Sequence, residues 1–207
     1  MNTPSNNNDI YIGRQAGKEI HKSILSAKSC VKIVSPYLSP DYIQDLIFLH
    51  KKGIKITLIT CDSIESNQYS KFKPSDLVIK EKVEDYSSAK SKSFLAKILR
   101  LLFPPIPNYN YKPLFDIKVF DSSTGKNPRS TELIHSKIYL IDNKIAFLGS
   151  ANLTYSGFKT HYETTIKVSD PSAIQDISTE IDSLYNSTEL KSKPIKEWMI
   201  SDRRGIL

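Results

Sequence analysis

His135-Ser136-Lys137 is followed after four residues by Asp142, after six more by Gly149-Ser150, and after one more by Asn152. Six residue types at these offsets are far too specific a pattern for chance at ordinary residue frequencies. A lone His-x-Lys, by contrast, carries almost no information. The chemistry open to such a set is phosphoryl transfer. On a strand, His135 and Lys137 are two apart, so their side chains share a face. Imidazole is a reasonable nucleophile near neutral pH, where much of it is unprotonated. The neighbouring ammonium can hold a non-bridging phosphate oxygen. Gly149 allows a tight backbone turn. Ser150 and Asn152 then supply short donors to phosphate oxygens, as an oxyanion site requires. Several donors on one phosphate do the work of a metal, so neither metal nor cofactor is expected.

The pattern HxK-x4-D-x6-GSxN resembles the phospholipase D superfamily, often called the HKD family. The similarity is strong over residues 135–163, and it extends to an early βαβ pattern with Ser35-Pro36-Tyr37 after its first strand. Residues 62–113 match no pattern we can name. The resemblance implies an α/β fold with a mixed, largely parallel β-sheet flanked by helices on both faces. It also implies a phosphodiesterase that works through a phosphohistidine on His135, with Lys137, Ser150 and Asn152 on the phosphate. An acidic residue near position 163 is implied as well, bonded to the far nitrogen of the nucleophile; Glu163 fits that place. Such a carboxylate fixes the tautomer and stabilises imidazolium. Asp142 is implied to be structural. It opens the turn Asp142-Asn143-Lys144, where an Asp can satisfy turn backbone groups. Lapsed copies lose the His or the Lys first, and both are present here.

The mechanism that the resemblance implies needs two histidines. One attacks phosphorus; the other protonates the leaving oxygen and later activates water. This chain carries one motif. Of its other histidines, His21 and His50 fall on helical segments as surface or rim residues. His161 is near enough to Glu163 to line the site. A second motif must then come from a second copy. The expected assembly is a C2 homodimer with one composite site across an isologous interface, as in single-motif bacterial members of the family, which include metal-independent nucleases. Two coupled histidines predict a bell-shaped pH profile whose limits belong to the pair.

The elements that must position this set are legible in the periodicity. Residues 1–9 are polar and Asn-rich, and disorder is expected there. Ile12, Ala16, Ile20, Ile24 and Ala27 recur at helical spacing from Tyr11 to Ala27. Val31–Val34 reads as a buried strand. Asp41 is placed to cap a helix carrying Ile43, Leu46 and Ile47, with Gly53 as its stop. Ile54–Thr60 is a second β-rich run, so the order helix, strand, helix, strand implies a right-handed parallel βαβ unit. Residues 62–113 read as a variable insertion with a short helix, a weak strand at Leu77–Ile79 and an amphipathic basic helix over 89–103. Pro104-Pro105 ends that helix, and a loop runs to Pro113. Strands follow at Leu114–Phe120, Leu133–Ile141, Ile145–Leu148 and Tyr162–Val168, with a turn at Thr124–Arg129. Asp170 as N-cap and Pro171 as first helical residue open a last helix. A single domain over 10–190 is expected, then a basic tail over 191–207, weakly structured except where Ile195, Trp198 and Met199 pin it.

The chain has 207 residues, enough for one domain with a sizeable core, and its net charge is +7. A basic balance favours polyanionic partners. Cys30 and Cys61 sit in or beside apolar runs, with neither a disulfide framework nor metal spacing. The first residues resemble no secretory signal, and no apolar run reaches about 18 residues. A cytoplasmic protein is the expectation. Nucleic acid is the first choice of substrate, because several of the 11 tyrosines lie among lysines, at Tyr69–Phe72 and Tyr109–Lys112. The alternative is a phospholipid headgroup at an anionic membrane, supported by the stretch 89–103. A third class is an inactive dimeric DNA-binding module.

Overall fold

Parallel strands β2 (Cys30–Val34) and β3 (Lys55–Asp62) are joined by helix α2 (Pro40–Lys51), the βαβ unit expected from the pattern. The computed structural model describes residues 9–14, 16–62, 73–83, 108–121 and 134–201. The residues expected to form the helix 89–103, the turn 124–129, the Tyr69–Phe72 cluster and the final tail 202–207 lie outside them.

The main sheet has seven strands in the order β1-β9-β8-β7-β2-β3-β6. Its remaining strands are β1 (Asp9–Gly13), β6 (Asp116–Asp121), β7 (Ile138–Ile141), β8 (Ile145–Gly149) and β9 (Glu163–Val168). The sheet is mixed, as expected, but its parallel share is smaller. Only β2–β3 and β3–β6 pair parallel. β7, β8 and β9 form an antiparallel meander against β2, and the three-residue turn between β7 and β8 is too short for a crossover. β1 pairs antiparallel with β9 at the edge.

Helices cover both faces. On one, Ile20 and Ile24 of α1 (Ala16–Leu25) and Ile43 and Leu46 of α2 pack on Val31, Ile33, Ile56 and Leu58. On the other, Ile174 and Ile181 of α3 (Pro171–Asn186) pack on Val34, Ile59, Leu140 and Ala146. The two sets alternate along each strand, as the period of two demands.

Several local expectations change. Residues 9–13 are a strand, not the start of the first helix, and Asp9 lies within it. Asp9-Ile-Tyr-Ile-Gly13 alternates with a β period, and Gly13 at φ +114° ends it. Helix α2 starts at Pro40, with Ser39 rather than Asp41 as N-cap. Pro40 at the first helical position sets that start. Gly53 at φ +88° follows the helix as foreseen. Asp170 Oδ1 accepts from Ala173 N at 2.9 Å and caps α3.

In the insertion, a 3-10 turn (Pro74–Leu77) leads into β4 (Val78–Val83). This strand pairs antiparallel with β5 (Asn108–Pro113), where a loop was expected. Tyr109 and Tyr111 suit a strand better than their Asn and Pro neighbours suggest. The segment expected as a loose tail is also part of the fold. Lys191 O accepts from Asp121 N, Lys193 N donates to Val119 O, and Ser192 bridges Phe120, covering the β6 edge. Lys193 pairs with Asp62. Trp198, on α4 (Ile195–Ser201), is buried in the core with Ile195 beside it.

Candidate active site

The motif is built on the β7–β8 hairpin, and its two ends are different chemistry. His135 and Lys137 precede β7 instead of lying in it. Gly149 N donates to Lys137 O at 3.2 Å, so the segment stays extended. Alternation then places His135 and Lys137 on the face of Tyr139, which belongs to the core under α1 and α2. Glu163 and Thr165 share that face, because Thr165 pairs with Gly149.

Lys137 is 5% exposed, and its Nζ donates to the His135 carbonyl at 2.5 Å. Burial lowers the pKa of its ammonium, and the nearby Glu163 carboxylate and Cys61 push the other way. A lysine has three donors; among the described residues one is used. The His135 side chain is exposed, and its ring has no hydrogen-bond partner among the described residues.

Glu163 is 9% exposed. Its Oε2 accepts from Ser150 Oγ. The other oxygen lies 3.8 Å from Nδ1 of the exposed His161. One expected partner differs here. Glu163 bonds Ser150, not the ring of His135. Ser150 Oγ places its proton on Glu163. The cause is the β8–β9 pairing. Ser150 N donates to Thr164 O at 3.0 Å and Thr164 N donates to Ser150 Oγ at 3.1 Å, which draws the hydroxyl to the start of β9.

Gly149 has a reason other than a turn. Its φ is not positive, but a Cβ there would overlap Thr164 O and stand 2.9 Å from Thr165 Cα. The glycine permits close strand approach, which keeps Glu163 beside Ser150. Asn152 is half-buried, and its Oδ1 is buried without a partner among the described residues. An orphaned polar atom of this kind costs free energy and commonly marks a working site.

Residues other than the six motif positions hold Ser150–Asn152 in place. Tyr139 OH donates to Ala151 O at 2.7 Å. Burial raises the pKa of this phenol well above its ordinary range. Ser35 Oγ accepts from Leu153 N at 3.0 Å, and Ser39 Oγ from Tyr155 N at 3.1 Å. Gly157, on a short π-helix (Ser156–Thr160), lies against Asn152; a Cβ there would stand 2.5 Å from Asn152 O. Ser39, Tyr139 and Gly157 escaped the sequence reading. A glycine five residues after Asn152 was the available signal.

Asp142 lies at the other end of the hairpin. Its carboxylate accepts from the backbone N–H groups of Lys28, Ser29 and Cys30 at 2.7–3.1 Å, and from Ser29 Oγ at 2.9 Å. Partial burial raises its pKa, but these donors outweigh that and hold it below the usual carboxylate value. Asp142 and Asn143 adopt φ of 55° and 51°, a left-handed turn that Asp and Asn tolerate.

His21 and His50 have partners of their own. His21 Nε2 is 2.8 Å from Asp45 Oδ2 and meets Tyr42 edge-on. His50 packs on Phe115. No group of three His, Cys, Asp or Glu among the described residues is arranged to hold a metal ion.

Residues 20–185 match the family described as cardiolipin synthase, PLD-like domain. The chain belongs to the phospholipase D-like family. This phospholipase D-like chain is 32% identical over 71 residues to cardiolipin synthase 1 of Bacillus anthracis, covering 34% of the chain and 14% of that relative. Its fold is similar to NucT from Helicobacter pylori, with TM-score 0.56, 19% identity, and coverage of 90% of this chain and 99% of that one. Nuc from Salmonella typhimurium, a phospholipase D family member, gives TM-score 0.50 and 14% identity over 90% and 99% of the two chains. Phosphatidylserine synthase of Haemophilus influenzae also gives 0.50 and 14%, over 93% of this chain but 40% of that one. Among the described residues, no helix of the phospholipase D-like chain is long and apolar enough to cross a membrane.

Proposed function

We propose that this chain is a metal-independent nuclease that cleaves DNA or RNA through a phosphohistidine, in a composite site shared by two copies. The observation that carries it is the placement of an exposed His135 and a buried Lys137 on one sheet face with Glu163, the His135 ring having no hydrogen-bond partner among the described residues. His135 attacks phosphorus and the bond to the leaving oxygen breaks. His135 of a second copy gives that oxygen its proton. The same ring then takes a proton from water, whose oxygen attacks phosphorus and releases His135. Lys137 holds a non-bridging oxygen, with the Asn152 amide beside it. Glu163 acts through Ser150 and through the charge it sets beside Lys137. Asp142 and Gly149 hold the hairpin.

Two features support the second copy. The described residues hold one such histidine. The β1–β9 edge, which ends at the Gly13–Glu163 pair, exposes Ile10, Ile12 and Tyr162 at 63%, 78% and 77%. These side chains lie on the sheet face opposite Glu163, and exposed apolar surface at a sheet edge suits a partner.

Nucleic acid is favoured by the net charge of +7, and a cytoplasmic enzyme fits this reading. Similarity to a cardiolipin synthase domain favours a second reading, transfer or hydrolysis of a phospholipid headgroup. Incubation in excess EDTA with plasmid DNA, RNA and anionic phospholipid vesicles separates them. Cutting that persists in EDTA and is lost in His135→Ala supports the nuclease; headgroup release supports the lipid enzyme. A monomer with full activity would overturn the composite site.

A further inference from the structure

The β4–β5 ribbon has two chemically different faces. Partners in an antiparallel ladder point the same way. Lys80 is opposite Tyr111 and Lys82 is opposite Tyr109, so these four side chains share one face. The other face carries Ile79, Glu81 and Val83 opposite Lys112, Asn110 and Asn108. The first face therefore holds two cations and no carboxylate, while the second is charge-balanced and partly apolar. Lys80 and Lys82 are exposed, and both tyrosines are half-buried. Lys80 Nζ lies 3.8 Å from the centroid of the Tyr109 ring, which holds that ammonium in place before any ligand arrives. The base of the ribbon is fixed: Leu77 and Val78 are buried, and Leu114 N donates to Leu77 O at 2.9 Å.

Side chains two apart on a strand are separated by about 6.8 Å, so the two ammonium groups are offered along one line to an extended polyanion. Cations at that spacing, interleaved with aromatic rings, match a phosphate backbone with bases beside it. A bilayer would instead take up Ile79 and Val83, which point the other way. We propose that the Lys80–Lys82–Tyr109–Tyr111 face binds a single nucleic-acid strand outside the catalytic motif, as a substrate-holding surface of the nuclease. This rests on the nuclease reading above and names a surface that the reaction itself does not require.

The test uses the full-length protein and its Lys80→Ala/Lys82→Ala variant. Both are measured for hydrolysis of bis(p-nitrophenyl) phosphate, a small diester with a single phosphate. Both are also measured, in a His135→Ala background, for binding of a fluorescent single-stranded oligonucleotide across a salt series. The expected variant hydrolyses the small diester at the original rate, binds the oligonucleotide about tenfold more weakly at 0.1 M salt, and loses about 1.4 from the slope of log K against log salt. Lys80→Arg/Lys82→Arg restores both. Unchanged oligonucleotide affinity and slope, with the parent protein cutting nucleic acid, overturns the ribbon and leaves the nuclease standing. Small-diester hydrolysis by a parent that neither binds nor cuts nucleic acid overturns both. Loss of sedimentation with phosphatidylglycerol vesicles, at unchanged oligonucleotide binding, assigns the face to a membrane and overturns the proposal.

Discussion

The β7–β8 hairpin ends in two ways. At its turn, every oxygen of Asp142 is engaged by the segment from Lys28 to Cys30, and the backbone is left-handed to suit. At its open end, the His135 ring and Asn152 Oδ1 have no partners among the described residues, and Lys137 is buried. Both ends belong to one motif of 18 residues, yet one is satisfied and the other is not. The difference separates scaffold from chemistry. A polar group whose hydrogen bonds are complete is there to hold the fold. One left incomplete in a partly buried place costs stability and calls for another reason.

The contrast can be broken most severely at the open end. His135→Ala should lower phosphodiester turnover by about 10⁴-fold or more while the melting temperature changes little, since the side chain is exposed. Turnover within tenfold of the parent would remove His135 as nucleophile. Gly149→Ala should attack the join between the two ends. Its methyl has no room against β9, so a loss of about 3 kcal/mol is expected from the urea midpoint, with Glu163 carried out of place.

Glu163→Gln sharpens the open end further. It keeps a hydrogen bond to Ser150 but removes the charge near Lys137, so kcat should fall about 100-fold with little change in stability. Equal loss of stability and activity would make Glu163 a scaffold residue. The smallest effect belongs to the turn. Asp142→Ala strands three backbone donors and should cost about 2 kcal/mol, leaving turnover of the folded fraction intact. The sign with pH follows from its lowered pKa. The stabilisation is full above the unfolded value of about 3.9 and is lost as pH falls through the folded value. The stability gap between parent and Asp142→Asn should thus narrow in acid, measured by denaturation at pH 7 and below pH 4.

Local signals were read well where one element decides them. The alternation that puts His135 and Lys137 on one face survives even though both precede β7. The Asp170-Pro171 start of α3 is a local capping event and appears as expected. The edge strand β1 was hidden because Ile12, Ala16 and Ile20 mimic a helical period across a strand–helix junction. β5 was hidden because its pairing with β4 spans a long insertion. Turn chemistry suggested a local role for Asp142, but its partners lie more than 110 residues away.

The amino-acid sequence determined the family and the alternation that sets His135 and Lys137 on one face, because residue type and period are local properties. Tertiary structure decided what each polar group bonds to. Ser150 turned to Glu163 and not outward, because a glycine lets β9 approach β8 closely enough for its backbone to capture the hydroxyl. Ser35 and Ser39, more than 110 residues before their partners, became the clamps of the motif loop in the same way. Hydrogen bonds across that distance depend on how strands and loops stack, and no spacing along the chain encodes them.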